Sequence, residues 1–341
     1  MKSPIYWKNL SLFICVFGLA LLTSCEDDPE FFEPNSFETF GIRHDRDLNQ
    51  YEAIAANSAP FNTSDFPDFS PVVAFTYSLD GSDNFEYVAS GVLIHPEWIL
   101  TAGHNFFVSD AQSTPAKVEG IIMVTGNDPN LTSNTHEVEQ LVFHPTWLED
   151  DDIYANANDL CLVKLKNPIL SITPALILEE ELETIGSTTW QCGFGDYSRL
   201  AGQDPDLYSL KHATKNTLDR IVDNISSSSS AGNYTGGLVA VDFDDPDGMI
   251  NSLGDDFENE DELLLKGGQS SSVALDYEGS AVEGDSGGPL FIRVNGQWMV
   301  TGILSGSATD PVPNHSDGNY GEIDIYTRVS TAFDWIKTVV K

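Results

Sequence analysis

The chain has 341 residues, of which 16 are Lys or Arg and 53 are Asp or Glu, so its formal net charge at pH 7 is −37. A surface this negative repels phosphate backbones and anionic membranes, which argues against nucleic acid as a partner. The length allows one large or two moderate cores. The 27 glycines and 17 prolines favour many short elements joined by turns.

Residues 1–24 have the pattern of an export signal. Two lysines precede an apolar run over residues 10–22, which is too short to span a membrane comfortably as a helix. The run ends in Leu22-Thr-Ser-Cys25, which resembles the lipobox of bacterial lipoproteins, whose cysteine becomes the acylated N-terminus. We therefore expect Cys25 to be lipidated and residues 25–41 to form an acidic tether. The expected location is the cell envelope, at the outer membrane or the cell surface. The protein would contact the membrane only through its N-terminal lipid, and proteolytic processing could release it.

The remaining chain predicts a protein built of strands. Short apolar or alternating runs occur at Val72–Tyr77, Glu86–Ile94, Ile121–Val124 and Val138–His144. Helical periodicity is nearly absent before the C-terminus, where Thr331 and Asp334 form a capping-box pattern ahead of an amphipathic helix. An all-β fold with a short C-terminal helix follows.

The segment Gly284-Asp-Ser-Gly-Gly-Pro289 has the composition of a turn that exposes a nucleophile. A serine hydroxyl is a poor nucleophile unless a base takes its proton and nearby donors stabilise the oxyanion. The glycines let the backbone turn sharply, so that Ser286 Oγ is exposed and the N–H groups of Gly284 and Ser286 form an oxyanion hole. The same residues also occur in ordinary turns, so a base and an orienting carboxylate must be found elsewhere.

Two further motifs supply them. His104 ends the segment Thr101-Ala-Gly-His104 after two predicted strands, and Asp159 precedes the apolar run over residues 160–165. The three motifs, in the order His104, Asp159 and Ser286, resemble those of the trypsin/chymotrypsin-like serine proteases. Subtilisin-like and α/β-hydrolase triads occur in other orders. The resemblance extends from about residue 70 to the C-terminus.

This resemblance implies two six-stranded antiparallel β-barrels and a short C-terminal α-helix. The protease domain would span residues 42–341, with the first barrel at about 60–175 and the second at about 185–341, the latter containing an acidic insertion at about 200–270. The implied activity is hydrolysis of protein or peptide substrates through an acyl-enzyme, by a monomer without a cofactor. Two alternatives stay open, an inactive binding or adhesion protein on the same fold and an esterase that uses the same triad.

The substrate pocket is inferred from the same resemblance. Alignment on the nucleophile places Ser280 at the pocket base, and alignment on Tyr326 places Asp324 in the same pocket. Ser305 ends the strand that would line the cleft. A carboxylate there implies cleavage after Arg or Lys, with a chymotrypsin-like apolar preference as the rival.

The same resemblance also predicts how the enzyme would be activated. In the family, proteolysis frees an aliphatic N-terminal amine that pairs with the aspartate before the nucleophile, here Asp285. The nearest candidate for that terminus is Ile42, so cleavage between Gly41 and Ile42 is expected. The alternative is that Asp285 is satisfied by groups within the chain, without cleavage.

The cysteines and acidic runs indicate no metal centre. Cys161 and Cys192 lie in different predicted barrels, which favours two buried thiols over a disulfide. Ser90 and Asn105 stand where relatives carry a cystine beside the histidine. The run Asp242–Gly248 fails the EF-hand spacing, so calcium is the less favoured interpretation, and neither zinc nor another metal is expected.

Overall fold

A computed structural model describes residues 39–78, 87–108, 114–149, 158–197, 209–222, 237–254, 257–258, 264–265, 270–309 and 318–341. These residues belong to one compact unit. The expected signal peptide, Cys25, most of the tether and parts of the predicted insertion lie outside the described residues. Among the helices that the structure describes, none is long and apolar enough to cross a membrane.

The first half is a closed six-stranded antiparallel barrel in the order β1-β2-β3-β8-β7-β6. Its strands are β1 (Val72–Tyr77), β2 (Tyr87–His95), β3 (Trp98–Thr101), β6 (Ile121–Val124), β7 (Thr135–Phe143) and β8 (Cys161–Leu165). A ribbon of β4 (Phe107–Val108) and β5 (Thr114–Pro115) accompanies it.

Strand β1 shows why this barrel has two cores. Every residue of β1 is buried, and successive side chains of a strand point to opposite faces. Val73 and Phe75 pack in the barrel interior, whereas Val72 and Ala74 pack in a second cluster that also contains Trp190 of the other half. One face of β1 therefore fills the barrel interior with side chains, and the other face packs against the second half of the protein.

The second half is a seven-stranded antiparallel sheet in the order β10-β9-β15-β16-β17-β12-β11. Its strands are β9 (Thr188–Gly193), β10 (His212–Thr217), β11 (Arg220–Val222), β12 (Leu238–Asp242), β15 (Pro289–Val294), β16 (Gln297–Thr309) and β17 (Glu322–Arg328). A separate ribbon pairs β13 (Phe257–Glu258) with β14 (Leu264–Leu265). Strands β10 to β12, although within the predicted insertion, are part of the main sheet.

The predicted chymotrypsin-like fold class is confirmed, with one difference in the second half. Among the described strands, β10 and β11 stand at opposite ends of the sheet order, so this half is a curved half-barrel and not a closed six-stranded barrel. The two free cysteines, Cys161 on β8 and Cys192 on β9, are both buried, in separate hydrophobic clusters.

Three helices complete the described structure: α1 (Leu48–Ala55), α2 (Pro145–Glu149) and α3 (Val329–Val339). Helix α3 follows β17 directly and buries Ala332 and Ile336. The capping box predicted from Thr331 and Asp334 is wrong, because the helix begins two residues before Thr331. The Thr331 hydroxyl instead donates to the Arg328 carbonyl oxygen at 2.8 Å, within the first helical turn.

Candidate active site

His104 and Asp159 form a two-point contact within the first barrel. Asp159 Oδ2 lies 2.6 Å from His104 Nδ1, and Asp159 Oδ1 accepts the His104 backbone N–H at 2.8 Å. The carboxylate is fully buried, whereas 30% of the His104 side chain is exposed. The contact therefore fixes the ring and leaves its outer edge accessible. A histidine held in this way is suited to proton transfer at Nε2.

The neighbourhood of Asp159 also sets the charge behaviour of His104. Burial disfavours the imidazolium, but the negative charge of Asp159 and its hydrogen bond outweigh that effect. The pKa of His104 consequently lies above its ordinary value. The ring binds a proton more readily than a free histidine and has a fixed counter-ion when it does.

Gly103 explains the small residue that precedes the histidine. A Cβ at this position would lie 2.8 Å from Trp147 Nε1 and 3.1 Å from Asp159 Oδ1. The glycine is thus packed against the buried aspartate and the Trp147 indole. Its role is to let the chain pass close to Asp159, so that the His104 N–H can reach the carboxylate.

The nucleophile turn has the backbone that its glycines predict. Gly284 has φ +101° and Gly287 has φ +84°, both in the left-handed region that favours glycine. A Cβ on Gly287 would lie 2.1 Å from Thr101 Oγ1 and 2.4 Å from the Ser90 carbonyl oxygen. Glycine at 287 therefore allows the turn that carries Ser286 to approach strands β2 and β3 of the first barrel.

Two hydrogen bonds attach the Ser286 backbone to the first half of the protein. The Ser286 carbonyl oxygen accepts from the Ser90 N–H at 2.9 Å and from the Asn105 side-chain amide at 3.0 Å. The same amide contacts Thr101 Oγ1 at 3.1 Å. Asn105 directly follows His104, so the backbone of Ser286 is bonded to the residue next to the histidine.

The Ser90 hydroxyl joins the turn that carries Ser286 to strand β9's C-terminal end. It donates to the Gly284 carbonyl oxygen at 2.9 Å and accepts the Phe194 N–H at 3.0 Å. The peptide that follows Gly284 is thereby anchored at its carbonyl. An anchored, glycine-containing loop of this kind can hold backbone N–H groups ready for developing negative charge.

Ser280 and Asp324 are in direct contact. The Ser280 hydroxyl donates to Asp324 Oδ1 at 3.2 Å, and the Ala281 N–H donates to Asp324 Oδ2 at 2.9 Å. Burial, followed by the charge of Glu322, raises the pKa of Asp324 well above its ordinary value. Two residues separated by 44 positions thus form one buried polar patch.

Ser305 lies on β16, at a bulge in its pairing with β17 between Leu304 and Gly306. Its hydroxyl lies 2.8 Å from Thr327 Oγ1. The neighbouring Leu304 carbonyl oxygen accepts the Gly287 N–H at 2.9 Å. The strand therefore runs directly along the nucleophile turn, which places Ser305 near Ser286.

Asp285 and Ile42 are the two residues expected to pair on activation. In the structure each has other partners. Ile42 is fully buried and forms a β-bridge with Gly279. Asp285 is also fully buried, and its carboxylate lies 3.1 Å from His212 Nε2. Sequence reasoning did not identify His212, because it lies on β10 in no recognisable motif.

The acidic run that begins at Asp242 is occupied by protein groups where it is described. Asp242 Oδ2 accepts the Leu253 N–H at 2.7 Å. Burial, followed by the charges of Asp242 and Glu278, raises the pKa of Asp244 to about 9. Within the described ranges, no group of three or more His, Cys, Asp or Glu side chains could hold a metal ion. Asp242 is therefore a buried hydrogen-bonding group, whereas Asp244 Oδ1 is buried without a hydrogen-bond partner among the described residues.

Two β halves with a nucleophile-type turn at their junction define the chymotrypsin-like class of fold. The family model described as Trypsin matches residues 68–248 and 265–336, which is more than half of the chain. The chain therefore belongs to the trypsin family of serine proteases. A tryptase from Mus musculus is 27% identical over 266 residues, which cover 76% of this chain and 81% of the tryptase.

Proposed function

We propose that this protein is a serine endopeptidase that hydrolyses peptide bonds through an acyl-enzyme. The observation that carries the proposal is the 2.6 Å contact between His104 Nδ1 and Asp159 Oδ2, on the segment that binds Ser286 through Asn105. Membership of the trypsin family supports it. The motifs for base, orienting acid and nucleophile are all intact.

In the proposed reaction His104 Nε2 takes the proton from Ser286 Oγ as the oxygen attacks the substrate carbonyl. Asp159 accepts from Nδ1 and stabilises the imidazolium that forms. The N–H groups of Gly284 and Ser286 bind the oxyanion. The imidazolium then gives its proton to the leaving amine, and water repeats the sequence to release the acid and restore the hydroxyl.

We further infer a preference for Arg or Lys on the acyl side of the cleaved bond. Asp324 offers a carboxyl at Ser280, the position that alignment with the family places at the pocket base. A guanidinium or ammonium group entering this patch would gain a charged partner. The competing interpretation is an apolar preference, since Asp324 is buried and its raised pKa keeps it neutral over part of the pH range.

The proposed setting is the cell envelope. The lipobox-like segment that ends at Cys25 would anchor the enzyme, and residues 25–41 would extend it from the membrane. Protein or peptide substrates in or outside the envelope are the proposed partners of a monomeric enzyme. Metabolic labelling with a fatty-acid analogue tests the anchor: label lost in Cys25→Ser supports it, and label that persists excludes Cys25.

A fluorogenic peptide panel on the wild type and on Ser286→Ala tests the enzymatic proposal. Hydrolysis by the wild type that is abolished in Ser286→Ala supports the endopeptidase. Ser70→Ala is the control, because Ser70 is exposed, lies just before β1 and is outside the proposed triad and pocket. Cleavage of ester substrates without any peptide would favour the esterase. No turnover and no labelling by a fluorophosphonate would favour a binding protein.

A further inference from the structure

The carboxylate of Asp285 is surrounded by hydrogen-bond donors from within the chain. Oδ1 accepts the Gly195 N–H at 2.8 Å, and Oδ2 accepts the Val282 N–H at 3.1 Å. His212 Nε2 lies 3.1 Å from Oδ1 and 3.3 Å from Oδ2. The Tyr197 hydroxyl also lies 3.4 Å from Oδ2, but its shorter contact is to the Ser280 carbonyl oxygen at 3.1 Å. Each oxygen of the Asp285 carboxylate therefore has a backbone donor and shares His212.

His212 is placed as the side-chain partner of Asp285. Its Nε2 faces the Asp285 carboxylate, and its Nδ1 lies 3.4 Å from the Leu210 carbonyl oxygen. Donation from Nε2 to the carboxylate satisfies a buried polar group on each side chain. The Tyr197 ring packs in an edge-type contact against the imidazole ring at a centroid distance of 4.0 Å, which fixes the orientation of the imidazole.

The Asp285 carboxylate is in close contact with the backbone of the segment before Asp196. A Cβ on Gly193 would lie 2.2 Å from Asp285 Oδ1, and a Cβ on Gly195 would lie 2.5 Å from Oδ2. The carboxylate thus packs directly on the backbone of the 193–195 segment. The Asp285 and His212 side chains are 0% and 2% exposed. A buried carboxylate in this position requires a partner that is already present when the loop folds.

The peptide bond expected to be cut is equally enclosed. The Gly41 N–H donates to the Gly318 carbonyl oxygen at 2.6 Å, and the Gly41 carbonyl oxygen accepts the Ser280 N–H at 3.0 Å. Gly41, Ile42 and Arg43 are all buried. The segment is already inserted, in a continuous chain, between the pocket base and residue 318. A protease would have to extract it before cutting between Gly41 and Ile42.

We propose that His212 is a positioning residue that serves as the built-in side-chain partner of Asp285. This inference rests on the proposed peptidase function and concerns the same site. Through Asp285 it holds the backbone of Gly284 and Ser286 in the shape that binds the oxyanion. The enzyme is then competent with the Gly41–Ile42 bond intact, and no N-terminal amine is needed.

The first test uses the full chain, with its N-terminus checked by intact mass. Wild-type molecules in which the Gly41–Ile42 bond is intact should react with a fluorophosphonate and hydrolyse the best peptide of the panel. If the intact chain is unreactive and chains that begin at Ile42 are active, the proposal is overturned and the peptidase function stands. If neither form reacts, the peptidase function itself fails.

The second test is His212→Gln, which keeps an N–H donor near the Nε2 position and removes the imidazole ring that packs against Tyr197. We expect kcat to fall about tenfold or more, the scale of damage to an oxyanion site, with KM changed much less. His136→Gln makes the same chemical change on β7 of the first barrel, and it should leave kcat unchanged. A His212→Gln protein with lower stability but wild-type kcat would overturn the proposal. If this variant does not fold, the intact-chain test decides.

Discussion

The Asn105 side-chain amide donates to the Ser286 carbonyl oxygen at 3.0 Å. The Ser90 N–H donates to the same oxygen at 2.9 Å, and the Ser90 carbonyl oxygen accepts the Thr101 hydroxyl at 2.7 Å. The resemblance to the family places Ser90 and Asn105 where a cystine beside the histidine would be expected. In this chain a polar network joins them through Thr101 and the Ser286 carbonyl oxygen.

Asn105→Ala should weaken both the fold and the reaction. The substitution removes the amide from a buried site and leaves the Thr101 hydroxyl with one partner fewer, which costs about 1–3 kcal/mol of unfolding free energy. Because the lost donor also holds the Ser286 carbonyl, kcat should fall as well. Urea denaturation in a Ser286→Ala background measures the first effect, and peptide kinetics measure the second. Asn130→Ala, at an exposed position, should change neither quantity, and an equally mild effect at Asn105 would contradict the network.

Asp159→Asn should shift the pH profile as well as the rate. Despite burial, the charge and hydrogen bond of Asp159 raise the pKa of His104. The ring acts as a base only when neutral, so kcat/KM rises as pH increases through that pKa. Without the carboxylate, the rise of kcat/KM with pH should occur at lower pH. We expect kcat to fall by roughly 10⁴, because Asn favours the wrong tautomer of His104.

The matched control for this change is Asp334→Asn, on the exposed face of α3. It should keep the wild-type profile. An Asp159→Asn enzyme with an unshifted acid limb and near wild-type kcat would show that Asp159 does not orient His104.

The fold class could be predicted because short alternating runs indicate strands and because three short motifs resemble one family. The roles of His104, Asp159 and Ser286 stay predictions that rest on those local motifs. The contacts that organise these residues could not be predicted. His212 and Asp285 are 73 positions apart, and Ser90 and Gly284 are 194 apart. No periodicity of a single segment encodes such a pairing, because it depends on how two sheets pack. The start of α3 was missed for a local reason, since β17 passes into the helix at Arg328 without a polar N-cap.

Glu183→Gln should destabilise the connection between the two halves. Glu183 is fully buried, and Arg328 Nε donates to its Oε1 at 2.9 Å, as does the Ser330 hydroxyl. The substitution leaves the buried guanidinium of Arg328 with Glu181, at 3.0 Å, as a remaining carboxylate partner. We expect a loss of about 1–3 kcal/mol of unfolding free energy. Burial opposes ionisation of Glu183, but the hydrogen bond and charge of Arg328 prevail and lower its pKa.

The sign of the pH dependence follows from that lowered pKa. The stabilisation by Glu183 is present above the pKa of an unfolded glutamate, and it is lost as pH falls through the lower value of the folded state. The difference in stability between wild type and Glu183→Gln should therefore be largest near neutral pH and shrink in acid. Glu180→Gln, at an exposed neighbour, should show almost no difference at either pH. A difference in unfolding free energy that stays constant across the pH range would contradict the ion-pair explanation.

Asp324→Asn should reduce the proposed preference for Arg and remove its dependence on pH. In the wild type burial raises the pKa of Asp324, so the carboxyl is neutral at low pH and becomes a carboxylate as pH rises. The ratio of kcat/KM for an Arg peptide to that for its Leu counterpart should increase over the same pH interval. Titration of His104 affects both peptides equally, so it does not change this ratio. With Asn at 324 the ratio should be flat and lower by about 10- to 100-fold, because a hydrogen bond to a charged group is worth about 1.5–3 kcal/mol.

The control is Asp65→Asn, which changes a carboxylate whose side chain is 80% exposed. It should retain the increase of the Arg-to-Leu ratio with pH. A wild-type ratio that favours Leu at every pH would instead assign the pocket to apolar side chains, since the buried carboxyl would then stay neutral and bonded to Ser280.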